Sequence, residues 1–113
     1  MNVTQPTGSN LLDHESREKL PALYCQESKG LDARARVKFF TPDSSWSWFA
    51  SEFDGEDLFF GLVVGHEIEL GYFSLTELQS VKGPLGLLIE RDLYYESTTL
   101  GELIKKYEAG RNK

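Results

Sequence analysis

Three strand-like segments follow one another over residues 46–74, and they constrain this chain more than any other feature. The segment, WSWFASEFDGEDLFFGLVVGHEIELGYFS, is rich in the β-branched and aromatic residues that favour strands. Asp54-Gly55 separates the first run from the second, and an Asp-Gly pair readily takes the positive φ values of a tight hairpin turn. Gly65-His66 marks a second reversal. The segment therefore predicts three successive strands joined by short turns.

Side-chain alternation predicts which residues of these strands face the core. We expect Phe49 to lie opposite Phe60 across the Asp54-Gly55 turn. At the second reversal, a two-residue turn would bury two unpaired carboxylates, which costs far more than lengthening the turn by one residue. A three-residue turn is therefore predicted, which turns Ile68, Leu70 and Tyr72 inward. The predicted core side comprises Val37, Phe39, Phe49, Phe53, Leu58, Phe60, Leu62 and Val64.

A fourth strand is predicted immediately before this segment. Residues 33–40, ARARVKFF, alternate small or apolar residues with basic ones, and residues 41–45, TPDSS, are strong turn formers. If Phe40 pairs with Trp46, then Lys38 faces Trp48 and Arg34 faces Glu52. That register predicts a cation–π contact and a cross-strand ion pair.

Capping patterns predict the helices. Ser74 and Thr99 are each followed three residues later by Glu, which is the signature of a capping box. They predict helices over residues 75–81 and from residue 100 to about Gly110. Asn10 is predicted to cap a short helix over residues 11–20. Residues 87–95, LLIERDLYY, read as a further strand or extended segment.

This order of elements predicts an α+β fold. We expect a single domain over residues 11–110, with an antiparallel sheet of four or five strands and helices packed on one face. Residues 1–10 are polar and are predicted to be a flexible tail. No apolar run approaches the roughly 20 residues of a membrane-spanning helix, and no export signal precedes the domain. The lone Cys25 excludes an internal disulfide, so the chain is predicted to be cytoplasmic.

Charge is distributed unevenly along the chain. The net charge is −6, yet residues 39–81 contain eight acidic residues and no Lys or Arg. Because nucleic-acid affinity depends on cations that replace counterions on phosphates, this segment alone cannot form a DNA-binding face. It could instead occupy a basic cleft of another protein. The predicted partner-binding carboxylates are Glu52, Asp54, Glu56, Asp57, Glu67 and Glu69.

A different function follows if the aromatic residues on the opposite sheet face are exposed. Bases could stack on Trp46 and Trp48 while Arg34, Arg36 and Lys38 bind phosphates, as in single-strand binding proteins. Coverage of this face by a helix is the simpler reading, because a sheet with two apolar faces normally has both covered.

Enzymatic chemistry is a weaker alternative. Glu90, Arg91 and Asp92 could supply an acid, a phosphate clamp and a base for a metal-dependent nuclease. Mg²⁺ could be bound by carboxylates at adjacent hairpin ends (Glu52, Asp54, Asp57, Glu67 and Glu69). Neither pattern is specific. We therefore predict no catalytic residues, no metal and no cofactor.

Five strings together resemble a known family: VKFFTP (residues 37–42), DGEDLFFGLV (54–63), ELGYFSL (69–75), GPLGL (83–87) and IERDLY (89–94). They are similar to short bacterial proteins catalogued as a domain of unknown function, over about residues 20–105. Members of that family occur on plasmids, conjugative elements and phages, sometimes joined to antirestriction-type domains. The resemblance implies an accessory role on mobile DNA, and it supplies no catalytic motif.

The charge pattern and the resemblance lead to one main hypothesis. The chain is predicted to be a non-enzymatic anti-defence protein, of antirestriction or anti-CRISPR type, that binds a basic surface of a host defence or nucleic-acid-handling protein. The alternative is a single-stranded nucleic-acid-binding protein or a metal-dependent nuclease.

Overall fold

The computed structural model describes residues 11–111 of the chain, so the predicted tail over residues 1–10 lies outside the described residues. The elements, in chain order, are α1 (His14–Glu18), a 3₁₀ helix (Glu27–Asp32), β1 (Arg34–Ala35), β2 (Val37–Phe40), β3 (Ser47–Phe53), β4 (Leu58–Val64), β5 (Ile68–Ser74), α2 (Leu75–Ser80), β6 (Glu90–Arg91), β7 (Thr98–Thr99) and α3 (Leu100–Arg111).

Five strands form one antiparallel sheet in the order β5-β4-β3-β2-β6, and β1 pairs with β7 in a separate two-stranded ladder. The α+β class and the antiparallel sheet are therefore confirmed. The predicted strand over residues 33–40 is divided at Arg36, whose backbone N–H donates to the carbonyl of Ala50 at 2.7 Å. Of the extended segment predicted over residues 87–95, the sheet includes only Glu90–Arg91.

Local hydrogen bonds explain where the helices begin. Ser74 caps α2 by accepting the N–H of Glu77, and the hydroxyl of Thr99 accepts the N–H of Glu102 at the start of α3. Both predicted capping residues are confirmed. α1 is shorter than predicted and is capped by Asp13, whose side chain accepts the N–H of Ser16.

The register of the β2–β3 hairpin differs from the prediction by one residue. Phe40 pairs with Ser47, which brings Phe39 opposite Trp48 and Lys38 opposite Phe49. The cause is the turn, in which the N–H of Thr41 donates to the carbonyl of Trp46 and so pairs these two residues. A shift of one residue moves every side chain of β2 to the other face of the sheet. The predicted pairing of Lys38 with Trp48 was wrong for this reason.

A β-bulge in β3 also changes the sheet face on which the residues after it lie. Ala50 pairs with Gly61, but Glu52 pairs with Phe60, which leaves Ser51 as the extra residue. The bulge moves Phe53 to the face opposite Phe49. By contrast, the three-residue turn between β4 and β5 was predicted correctly, since Val64 pairs with Ile68.

Hydrophobic clusters cover both faces of the sheet. One cluster contains Phe39, Phe59 and Phe73 and packs against Leu75 and Leu78 of α2. The other cluster lies on the opposite face of the sheet. It contains Leu100 and Leu103 of α3 together with Ala33, Ala35, Phe49, Leu62 and Val64. The helices are thus distributed over two faces, where the sequence predicted one.

The predicted core side is divided between these clusters. Val37, Phe39 and Phe53 belong to the α2 side of the sheet. Phe49, Phe60, Leu62 and Val64 belong to the α3 side. The one-residue register shift of β2 and the bulge in β3 together account for the difference.

Candidate partner-binding surface

Glu52 is an internal structural residue, although the sequence suggested a surface carboxylate. Its side chain is 4% exposed, and its two oxygens accept the backbone N–H groups of Tyr24 and Gln26 at 2.8 and 2.7 Å. Two charge-assisted hydrogen bonds of this length hold the segment after α1 against β3. Glu52 therefore contributes no charge to an open acidic surface.

Asp54 and Asp57 stabilise the turn between β3 and β4. One carboxylate oxygen of Asp54 accepts the N–H groups of Glu56, Asp57 and Leu58. Asp57 accepts the hydroxyls of Ser74 and Thr76 and the N–H of Thr76, at the start of α2. These hydrogen bonds favour the ionised forms, so the pKa of each Asp lies below the ordinary value of 3.8.

The remaining carboxylates lie at opposite ends of the sheet. Glu56 is exposed in the β3–β4 turn, whereas Glu67 is exposed in the β4–β5 turn and Glu69 on β5. The seven residues of β4 separate the two turns by roughly 20 Å at the usual rise of a strand. The six predicted carboxylates do not form one surface.

Glu67 and Glu69 line a groove along the edge strand β5. We call this groove of about 340 Å³ the β5 groove; its lining residues are Trp46, Val63, Gly65, His66, Glu67, Glu69, Leu70, Gly71 and Tyr72. The ring of Trp46 contacts that of His66, with centroids 5.3 Å apart. Among residues 11–111, neither Glu67 nor Glu69 forms an ion pair. The groove therefore combines an indole, two free carboxylates and an open sheet edge.

A second concavity, which was not predicted from the sequence, shares Leu70 and Tyr72 with the β5 groove. Tyr24, Leu31, Leu70 and Tyr72 around it are exposed by 60%, 50%, 42% and 51%. Leu70 and Tyr72 were predicted to face the core. They do share the face of Leu62 and Phe60, but β5 is the edge of the sheet, and α3 does not cover this part of it.

The profile of a protein family matches most of this chain. The family profile described as Protein of unknown function (DUF2958) matches residues 11–109. The chain belongs to this family. The match confirms the resemblance to a family of unknown function, and it extends from the start of the described residues through all the strands to residue 109 in α3. Comparison of the chain with curated proteins and with solved structures found no match.

The DUF2958 domain does not assemble the predicted nucleic-acid platform. Trp48 is buried on the α2 side, whereas Lys38 points to the other face, with its Nζ 5.6 Å from the ring centroid of Phe49. Arg34 lies outside the main sheet and donates to Ser97. The Nε of Arg36 is buried. The one-residue register shift places Lys38 on the sheet face opposite Trp48, so the predicted face shared by Lys38 and Trp48 was wrong.

In the DUF2958 domain, Arg91 and Asp92 have structural partners and Glu90 is exposed. Arg91 donates to the carbonyl of Leu11 and to the carboxylate of Asp13, and so attaches the N-terminal segment to β6. Asp92 forms an ion pair with Lys38 at 3.5 Å, while Glu90 is exposed. This arrangement does not favour the nuclease alternative.

Within residues 11–111, no three acidic, His or Cys side chains converge in a way that could hold a metal ion, so the alternative Mg²⁺ site finds no support. None of the helices described for this part of the chain is long and apolar enough to span a membrane.

Proposed function

We propose that the chain is a non-enzymatic accessory protein of mobile genetic elements, which binds and blocks a host defence or nucleic-acid-handling protein in the cytoplasm. The observation that carries this proposal is the β5 groove, where Glu67 and Glu69 are exposed, form no ion pair within residues 11–111 and share the groove with Trp46 along the edge strand β5. The link to mobile elements depends on the family resemblance.

The chemistry of the groove favours a basic protein partner. Free carboxylates attract Lys and Arg and steer their approach, and a neighbouring Trp ring supplies the apolar contact area that protein interfaces use as an anchor. The unpaired side of β5 also offers backbone groups to an added strand. A protein that handles nucleic acid has a basic cleft of the required charge.

Fewer carboxylates enter the proposed interface than the sequence suggested. Glu52, Asp54 and Asp57 use their carboxylates for internal hydrogen bonds, and Glu56 lies at the far end of the sheet. The proposed interface therefore depends on Glu67 and Glu69.

Charge reversal in the groove tests the proposal. Tagged protein is isolated from cells with an active defence system, and the bound partner is identified and titrated with purified chain. Glu67→Lys with Glu69→Lys is expected to weaken binding about tenfold or more and to reduce its dependence on salt. Glu56→Lys with Glu77→Lys is the matched control, because it makes the same charge change at exposed sites outside the groove.

Equal binding by the two double variants would contradict the proposal, provided that both have the melting temperature of the unmodified chain. A gel shift with single-stranded DNA, with and without Mg²⁺, tests the alternative function. No shift and no cleavage are expected, because Lys38 lies on the sheet face opposite Trp48 and Arg34 lies outside the main sheet.

A further inference from the structure

A small pocket opens beside the β5 groove, between β3, β5 and the 3₁₀ helix. We call it the Tyr72 pocket; it encloses about 210 Å³ and is lined mainly by Tyr24, Leu31, Ser51, Glu52, Phe60 and Tyr72. Sites for drug-sized ligands typically have about 300–1,000 Å³. The Tyr72 pocket is therefore of the size of a side chain.

The buried carboxylate of Glu52 lies in the wall of the Tyr72 pocket. The carboxylate of Glu52 is fixed by the N–H groups of Tyr24 and Gln26, one on each oxygen. A carboxylate has about four acceptor positions, so each oxygen can accept another hydrogen bond. Within residues 11–111, Glu52 has no cationic partner. A buried carboxylate of this kind is best compensated by a cation that donates to both oxygens.

A second polar group in the pocket has no partner. Ser51 is 1% exposed, and its hydroxyl oxygen is buried without a hydrogen bond within the described part of the chain. Ser51 is the extra residue of the bulge between Ala50 and Glu52, and both Ser51 and Glu52 line the pocket. Because an unpaired buried hydroxyl is costly, its presence in a pocket wall indicates that a ligand supplies the missing hydrogen bond.

Aromatic rings form the entrance. The ring centroid of Tyr72 lies 5.1 Å from that of Phe60 and 6.5 Å from that of Tyr24. A hydrogen bond with Tyr24 and desolvation raise the pKa of Tyr72, and the negative charges of Glu52 and Glu27 make smaller contributions in the same direction. Tyr24 adopts a φ of 72°, a strained value for a residue with a bulky side chain. The entrance thus presents π faces in a negative potential, which attracts cations.

We propose that the Tyr72 pocket binds an arginine side chain of a partner protein. The guanidinium donates to the open positions of the Glu52 carboxylate and to the hydroxyl of Ser51, and its plane stacks on the Tyr72 ring. The aliphatic stem packs on Leu31 and Leu70. Lysine matches less well, since its compact ammonium neither stacks nor forms a two-pronged hydrogen bond with a carboxylate. The inference rests on the proposed function, because the arginine comes from a basic partner.

A peptide titration tests the pocket without the partner. The full chain, labelled with ¹⁵N, is titrated with the peptide Ac-Gly-Arg-Gly-NH₂, and the amide signals of Tyr24 and Gln26 are followed by NMR. Saturable shifts at these two amides are expected, because their N–H groups donate to Glu52. A citrulline peptide of the same shape but without charge is expected to bind about tenfold more weakly, and a lysine peptide several-fold more weakly.

Three variants locate the binding site. Tyr72→Leu is expected to weaken the binding of the arginine peptide about fivefold or more, because it removes the stacking ring. Tyr94→Leu, at a residue 91% exposed and outside the pocket, is the matched control and is expected to bind like the unmodified chain. Ser51→Ala is expected to weaken binding without lowering the melting temperature, because it removes a hydroxyl that has no hydrogen-bond partner within residues 11–111.

The results separate this inference from the proposed function. Equal affinity for arginine and citrulline peptides, or unchanged binding by folded Tyr72→Leu, would overturn the inference. If no peptide binds while partner capture persists, the pocket assignment fails and the proposed function stands. If the peptide binds in a chain that captures no partner, the proposed function fails and the preference for guanidinium stands.

Discussion

Glu52 shows how much a single residue contributes to the architecture around the candidate site. Its carboxylate holds two backbone N–H groups of the segment that follows α1, and it lies in the wall of the Tyr72 pocket. From the sequence it was one acid among eight in residues 39–81, because its partners are more than 25 positions away. The detectable local signal was weak: a polar pair, Ser51-Glu52, inside an otherwise aromatic strand.

A pair of glycines that face each other across β4 and β5 provides a test at the same scale. A Cβ at Gly61 would collide with the backbone carbonyl of Phe49, whereas a Cβ at Gly71 meets no atom within 4 Å. Because backbone cannot move aside as a flexible side chain does, Gly61→Ala is expected to lower the free energy of unfolding by about 3 kcal/mol. Gly71→Ala is expected to change it by no more than about 0.5 kcal/mol. Urea unfolding measures both, and equal effects would contradict the close contact between β3 and β4.

Among the elements, those defined by nearby residues were predicted and those defined by distant contacts were not. The starts of α2 and α3 follow from hydrogen bonds between residues three apart, Ser74 with Glu77 and Thr99 with Glu102. The β4–β5 turn followed from the cost of burying Glu67 and Glu69. The β2–β3 register depends instead on how the turn between Phe40 and Ser47 closes, and a difference of one residue changes the face of every side chain.

The candidate site could likewise be predicted only in part. Glu67, Glu69 and Trp46 were named from the sequence and lie together in the β5 groove. The Tyr72 pocket was not predicted, because it needs the bulge at Ser51, which has no clear sequence signature, and contacts from residues 24–31 to β3 and β5.

The link between the β3–β4 turn and α2 predicts a pH dependence. Hydrogen bonds lower the pKa of Asp57 in the folded chain below 3.8, its value in an unfolded chain. The unfolded state then binds the proton first as the pH falls, so the stabilisation is complete above about pH 5 and is lost below about pH 4. Asp57→Asn is expected to be less stable at about pH 6 and to lose less stability on acidification.

Urea unfolding between about pH 6 and pH 2.5 measures this difference. Glu56→Gln is the control, because among residues 11–111 the Glu56 carboxylate accepts no hydrogen bond. Parallel curves for the Asp57→Asn variant and the unmodified chain would show that Asp57 does not stabilise the folded state through its ionised form.

At the scale of the whole molecule, the sheet combines one open edge with a strong negative charge. β5 is paired on one side only among the described strands, and its exposed Leu70 and Tyr72 could pair with another copy. Native proteins commonly protect such an edge with charged side chains. Glu67 and Glu69 therefore have a second expected effect: besides attracting the proposed basic partner, their charges are expected to repel a second copy of the chain.

This protection predicts a difference between two variants of equal net charge. Glu67→Gln with Glu69→Gln removes the charges at the edge and is expected to self-associate at about pH 7, because the apolar edge is then uncharged. Glu56→Gln with Glu77→Gln removes the same charge outside the groove and is expected to remain monomeric. Sedimentation velocity at several concentrations measures both variants. The unmodified chain is expected to associate only as the pH approaches its pI of about 4.9, where its net charge vanishes. Equal sedimentation of the two variants would show that total charge, rather than its position on β5, keeps the copies apart.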